Sequence, residues 1–210
     1  LNDNTTASHN TAVGSSALQL NTTGTNNVAL GALALDGNTT SSYNIAVGYG
    51  ALTGAHTGGY TVAIGTNAGA ANTSGTNGIL VGYHAGYLNT TGSDNVVVGT
   101  EALDANTTGA SNIAIGTSAL GANTTASNNT AVGQRALFAN TTGNNNTALG
   151  ALTLDANTVG DRNTALGYSA LTTFNVSSNA DTYNTAVGAL SLKNLTTGTL
   201  NTAIGGQAME

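Results

Sequence analysis

Short runs of three β-branched or apolar residues recur along this chain, most opened by asparagine and each closed by glycine: NTAVG over 10–14, NVALG over 27–31, NIAVG over 44–48. The closing glycines are Gly14, Gly31, Gly48, Gly65, Gly82, Gly99, Gly116, Gly133, Gly150, Gly167, Gly188 and Gly205. They are spaced by 17 residues except for one step of 21 after Gly167. Twelve copies of one phrase in register define a repeat protein. The residue before the glycine is Val, Ile or Leu in all twelve copies, and the residue three before it is always β-branched. Between them stands Ala in ten copies, with Leu80 and Val97 as exceptions. Asn opens ten of the runs, and Thr61 and Gly78 open the others. Triplets of this kind bounded by Asn and Gly predict short strands. Helix is excluded, because the runs are too short and Gly and Asn return every few residues.

A three-residue strand has no stability alone, but copies stacked in register form a ladder. The expected fold is therefore all-β: a parallel β-solenoid of twelve 17-residue coils with one four-residue insertion within 168–184, residues 1–210 forming a single domain. At ~4.8 Å per rung the rod is roughly 55–60 Å long. Each repeat glycine is expected at a turn that needs positive φ or admits no Cβ. Three and four residues beyond it, Ala in ten copies and Leu in nine predict a second apolar wall. A turn follows, reading Asn-Thr-Thr-Gly at 21–24, 89–92, 106–109 and 140–143. Stacked Asn side chains at the corners are expected to hydrogen-bond between rungs. The Asn-Thr-Thr triplet also matches an N-glycosylation acceptor, although its fixed phase in the coil favours the structural reading.

Neighbouring strand residues point to opposite faces. With Thr11 and Val13 placed inside the coil, Ala12 points outward, and so do Ala29, Ala46, Ala63, Ala114, Ala131, Ala148, Ala165, Ala186 and Ala203. A column of small residues on an outer face suits close packing against a second chain. The expected assembly is a homotrimer with that column as its seam.

Composition narrows the classes. Only 6% of the residues are charged, the net charge is −6, and Pro, Trp and Cys are absent. Three cations, Arg135, Arg162 and Lys193, cannot neutralise a phosphate backbone, so no nucleic-acid partner is expected. No apolar run approaches the ~20 residues of a spanning helix, so this segment is not expected to insert in a membrane. Disordered chains are rich in charge and poor in Val, Ile and Leu, unlike this one. The first residue is Leu1 and no signal peptide is visible, so the chain reads as a mature fragment or excised segment.

The phrases NTAVGSSAL (10–18), NIAVGYGAL (44–52), YTVAIGTNAG (60–69) and NIAIGTSAL (112–120) resemble the head repeats of YadA-like trimeric autotransporter adhesins. They are also similar to collar and shaft repeats of phage tail fibres. The resemblance spans essentially the whole chain. It implies a left-handed, trimeric β-roll displayed outside a bacterial cell or on a virion, serving as a structural and adhesive fibre segment. The coils are longer than the usual adhesin head repeat, and Thr stands three before the glycine in six of the twelve rungs.

No catalytic, cofactor or metal site is expected. His9, His56 and His84 fall at three different phases in separate rungs and read as surface residues. Asp36, Asp104 and Asp155 share a phase but lie in rungs 2, 6 and 9, and only Asp94, Glu101 and Asp104 form a local acidic group. Binding is the better prospect. Tyr43, Tyr49, Tyr60, Tyr83 and Tyr87 cluster in rungs 3 to 5 with His84 among them, while Gly69 and Gly86 break the Leu column there. Tyrosine beside polar groups suits recognition of a host-surface glycan or protein. The insertion, bracketed by Phe174 and Tyr183, is a second candidate, since insertions between repeats map to exposed loops.

Two other readings belong to different classes. Threonine pairs such as Thr22/Thr23, Thr107/Thr108 and Thr141/Thr142 could form an ice-binding surface, although His56, Ser74 and Val159 interrupt the rows. Both visible ends fall mid-pattern, so end-to-end stacking into a filament, or continuation by another domain, is also an expectation.

Overall fold

The computed structural model describes residues 3–210. Those residues form an all-β parallel solenoid of about eleven turns, without a helix. Nine strands come first: β1 (Thr11–Val13), β2 (Val28–Leu30), β3 (Ile45–Val47), β4 (Val62–Ile64), β5 (Ile79–Val81), β6 (Val96–Val98), β7 (Ile113–Ile115), β8 (Thr130–Val132) and β9 (Thr147–Leu149). After them come β10 (Gly160–Asp161), β11 (Thr164–Leu166), β12 (Ala180–Asp181), β13 (Thr185–Val187) and β14 (Thr202–Ile204). All but β10 and β12 join one twelve-stranded parallel sheet in chain order. Register follows the repeat: Ala12 lies opposite Ala29, Ala29 opposite Ala46, and across the long step Ala165 opposite Ala186.

The second wall lies where the Ala–Leu pairs predict it. It is bonded rung to rung, with Leu18 N–H donating to Ala34 O, Leu35 to Ala51 and Leu52 to Ala68, each at 3.0 Å. The leucines of this wall hold φ near +50°, as at Leu18, Leu35 and Leu103. Left-handed backbone costs an L-residue about 1–2 kcal/mol. Complete burial of each leucine and its inter-rung hydrogen bond offset that cost.

The strand parity is the reverse of the expectation. Ala29, Ala46, Ala63, Ala114, Ala131, Ala148, Ala165 and Ala186 are fully buried inside the coil, Ala203 nearly so, and Ala12 packs against the same core. The β-branched and Leu positions flanking them point outward. A 17-residue coil is thin, and the leucines of the far wall already fill most of its interior. Only a methyl group remains for the near wall. The alanine column is therefore core and cannot be a seam to another chain.

One exception shows the volume rule at work. Leu80 replaces Ala on the near wall where the far wall carries Gly69 and Gly86 in place of leucine. A Cβ on Gly69 would lie 2.6 Å from Leu80 Cδ1, and one on Gly86 would lie 2.9 Å from Leu80 Cδ2. The single leucine fills the space that two would otherwise take.

The repeat glycines sit at the turn as expected, with φ between +120° at Gly188 and +144° at Gly99. No Cβ fits there. On Gly116 it would stand 2.7 Å from the carbonyl carbon and oxygen of Gly133 in the next rung. Conformation and close approach both select glycine.

Two asparagine ladders satisfy the polar corner. Asn38 Nδ2 donates to Asn21 Oδ1 at 2.8 Å, Asn106 to Asn89 at 2.7 Å and Asn123 to Asn106 at 2.8 Å. In the other ladder, Asn27 N–H donates to Asn10 Oδ1 at 2.8 Å and Asn112 N–H to Asn95 Oδ1 at 2.9 Å. The Asn-Thr-Thr asparagines at 21, 38, 106, 123 and 140 are wholly buried in this network, which removes them as glycan acceptors in the folded chain.

Candidate binding surface

The tyrosines divide into separate groups. Tyr43 and Tyr60 occupy the same phase in successive rungs, five residues before the repeat glycine, on the side of the sheet where the chain enters each strand. Their rings stack at 5.0 Å with planes 5° apart, and they are 51% and 63% exposed. On the other side of the sheet, where the chain leaves the strand, His84 lies between two tyrosines. It stacks on Tyr83 at 4.0 Å and on Tyr87 at 4.5 Å. Asn67 of the preceding rung comes within 3.3 Å of His84 Nε2. Tyr49 is exposed on that same side but makes no ring contact among the described residues.

Asp104 sits close to this group. Burial raises its carboxyl above the usual range, with Glu101 adding to the shift and His84 opposing it. Burial alone raises Asp36 in the same way, against backbone hydrogen bonds that lower it. No group of three or more His, Cys, Asp or Glu side chains among the described residues is placed to hold a metal ion.

The insertion behaves differently from the expectation. Ser177, Ser178 and Asn179 are exposed, but Phe174 is fully buried and leaves the candidate surface. It lies 17 residues after Asn157, in the asparagine-ladder position, and closes that ladder with an apolar plug. Past the loop, β12 pairs with β10 to form a small second sheet. Tyr183 remains exposed beside it, its hydroxyl donating to Asp181 Oδ2 at 3.1 Å, with the Arg162 guanidinium 5.7 Å from the ring centre. Arg162 Nε donates to Asp181 Oδ1 at 2.7 Å. Its pKa is raised chiefly by the Asp181 charge.

His56 also departs from the expectation. It is buried rather than on the surface, and it takes the place of an asparagine in the ladder. A one-residue shift around Ala55 puts it there: Thr57 N–H donates to Thr73 O, whereas Thr22 N–H donates to Thr39 O one residue further along. The substitution is imperfect. His56 Nε2 reaches Asn44 Oδ1 at 3.3 Å, while His56 Nδ1 and Asn38 Oδ1 are left without side-chain partners. Burial lowers the pKa of this imidazole to about 4, with the Asn72 backbone opposing the shift.

A further cluster was not anticipated from the sequence. Arg135 bonds Asp155 with two parallel contacts, Nε to Oδ1 at 3.1 Å and Nη2 to Oδ2 at 3.0 Å, and lies 4.1 Å over the Phe138 ring. Positions two and five after the glycine are neighbours on the coil surface, so the pair was legible once the two columns are placed side by side.

The first threonine of each pair serves the backbone. Thr22 Oγ1 donates to Thr39 O, Thr107 Oγ1 to Thr124 O and Thr141 Oγ1 to Thr158 O, each at 3.0 Å. These hydroxyls tie successive rungs together.

No family model, curated protein or solved structure matches the chain. No helix among the described residues is long and apolar enough to cross a membrane.

Proposed function

We propose that this chain is an extracellular fibre segment, a rigid left-handed β-roll that assembles as a homotrimer and holds a binding surface for a host glycan or protein. The observation that carries the reading is the outer face of the twelve-stranded sheet. Its side chains are aliphatic or threonine in every rung, and Leu30, Ile45, Ile64, Ile79, Ile115 and Leu149 are exposed on it. No charged residue interrupts the two outward columns. Twelve rungs at ~4.8 Å and three residues of width at ~3.3 Å give a face of roughly 550 Å². That is at the upper end of the apolar patches that single chains expose, and patches of this size are often functional. Each copy repeats the same chemistry at the same spacing, so a second and third copy meet it rung for rung. The resemblance to adhesin head repeats supports three as the number and left as the hand.

The seam thus moves from the alanine column to the columns on either side of it. The aromatic groups lie at the two margins of this face, where they remain available to a ligand. The ice-binding reading loses support because one hydroxyl of each pair, at Thr22, Thr107 and Thr141, is bonded to the backbone of the next rung, which leaves a single row where a flat ice-matching surface favours two. Light scattering of the intact chain tests the assembly, with three times the monomer mass expected. Replacing Ile113 and Ile115 together by Glu should reduce the mass to that of one chain while the far-ultraviolet circular dichroism is kept. A wild-type chain that is monomeric at micromolar concentration would overturn the reading.

A further inference from the structure

We propose that Asn77 is a self-modifying site, at which the peptide nitrogen of Gly78 displaces the side-chain amide and converts the residue to aspartate or isoaspartate. Asn77–Gly78 is the one Asn-Gly pair in the sequence. Glycine has no side chain to hinder attack by its own nitrogen, and its backbone moves most freely.

The fold supplies the second condition. Asn77 is exposed, with φ +57°, in the column that also holds Asn26, Asn128 and Asn145 at φ between +58° and +61°. These three are natural controls, because their backbone conformation is the same and only the following residue differs. There the next N–H is held by the asparagine ladder: Asn27 donates to Asn10 Oδ1 at 2.8 Å, Asn129 to Asn112 Oδ1 at 3.0 Å and Asn146 to Asn129 Oδ1 at 2.9 Å. At Gly78 the residue one rung back is Thr61, which carries no amide oxygen, and the Gly78 N–H has no acceptor among the described residues. The nitrogen that must attack is free only here among the four.

The chemistry needs water and nothing else. Gly78 N loses its proton to solvent and bonds to Asn77 Cγ, the Cγ–Nδ2 bond breaks, and the nitrogen leaves as ammonia. A five-membered cyclic imide remains, and water opens it at either carbonyl to give aspartate or isoaspartate. One water is consumed, one ammonia is released, and no redox change occurs. Asn77 Nδ2 now donates to Asp94 Oδ1 at 3.0 Å, so the product sets a carboxylate against a carboxylate. The new charge also lies one rung beyond Tyr60, at the end of the Tyr43–Tyr60 stack, and isoaspartate adds a backbone atom just before β5.

The test is timed incubation of the intact chain at pH 8, followed by peptide mapping with mass spectrometry and isoaspartate assay. Asn77 should convert on the order of tenfold faster than Asn26, Asn128 or Asn145, since each of those must first give up a backbone hydrogen bond. Thr61→Asn restores the missing acceptor, keeps the Asn-Gly pair and should slow conversion several-fold. Gly78→Asn, which removes the glycine but leaves Thr61 and hence the unbonded N–H in place, should lower the excess over the controls without abolishing it. Equal rates at all four asparagines, or a Thr61→Asn chain that folds and converts as fast as wild type, would overturn the proposal.

Discussion

His56 shows what one residue does when it stands in a ladder built for another. Its ring replaces an asparagine amide, and burial holds its pKa near 4 against an ordinary value of 6.5. The folded chain keeps this imidazole neutral, while the unfolded chain takes up a proton below its ordinary pKa. The stability it permits is therefore present above pH 6.5 and is lost as the pH falls toward 4, by about 3 kcal/mol in full. Urea unfolding at pH 7.5 and pH 4.5 should show a drop of about 2–3 kcal/mol in wild type beyond that in His56→Asn. Asp36 and Asp104, whose raised pKa values act in the opposite direction, are common to both chains and cancel in the difference. The variant should also be the more stable at pH 7.5, because an amide can satisfy Asn38 Oδ1. A second residue-scale prediction concerns Leu200, which is 77% exposed with φ +60° and donates its N–H to Thr182 O at 2.8 Å. Asparagine accepts left-handed backbone more readily, so Leu200→Asn should stabilise the chain by about 0.5–1 kcal/mol in thermal or urea unfolding.

At the scale of the strand and its opposing wall, volume governs. Leu80→Ala opens a space that neither Gly69 nor Gly86 can fill, and should cost about 3–5 kcal/mol in urea unfolding. Gly86→Leu alone should also destabilise, since its Cβ meets Leu80. Combined with Leu80→Ala, it should recover much of the loss, because φ +60° at Gly86 suits the leucine conformation of that column. A double-mutant cycle that finds the two changes merely additive would falsify this account. The same rule explains what the sequence made legible. The period, the strands, the turn glycine, the second wall and the asparagine ladders all follow from columns that repeat. Strand parity does not, because a triplet such as Ile113-Ala-Ile115 is apolar on both faces and alternation alone cannot say which side is inside. The width of the coil decides it. Phe174 was legible by position, 17 after Asn157, yet its chemistry suggested a loop. His56 was displaced by a one-residue shift that only the hydrogen bonds reveal. Of the aromatic candidates, the Tyr43–Tyr60 stack follows from the column, whereas the Tyr83–His84–Tyr87 stack depends on how the coil turns after Gly82.

For the molecule as a whole, contacts run only between successive rungs, so stability accumulates rung by rung. Excising residues 124–140, one full turn, joins Asn123 to Thr141 in the phase that Thr124 held. That chain should fold, keep a cooperative thermal transition and melt only modestly lower. Excising residues 124–131, about half a turn, sets the inward and outward columns out of phase from that point and should abolish the transition.

The surface positions five before and two after each repeat glycine carry a wider consequence. The first of these columns holds His9, Asn26, Tyr43, Asp94, Arg162 and Leu200, residues with no chemistry in common, at φ between +58° and +63°. Backbone shape there is set by the neighbouring rungs and not by the side chain. Each turn thus offers an address that can be rewritten without disturbing the scaffold, on a raster whose pitch is the spacing between strands.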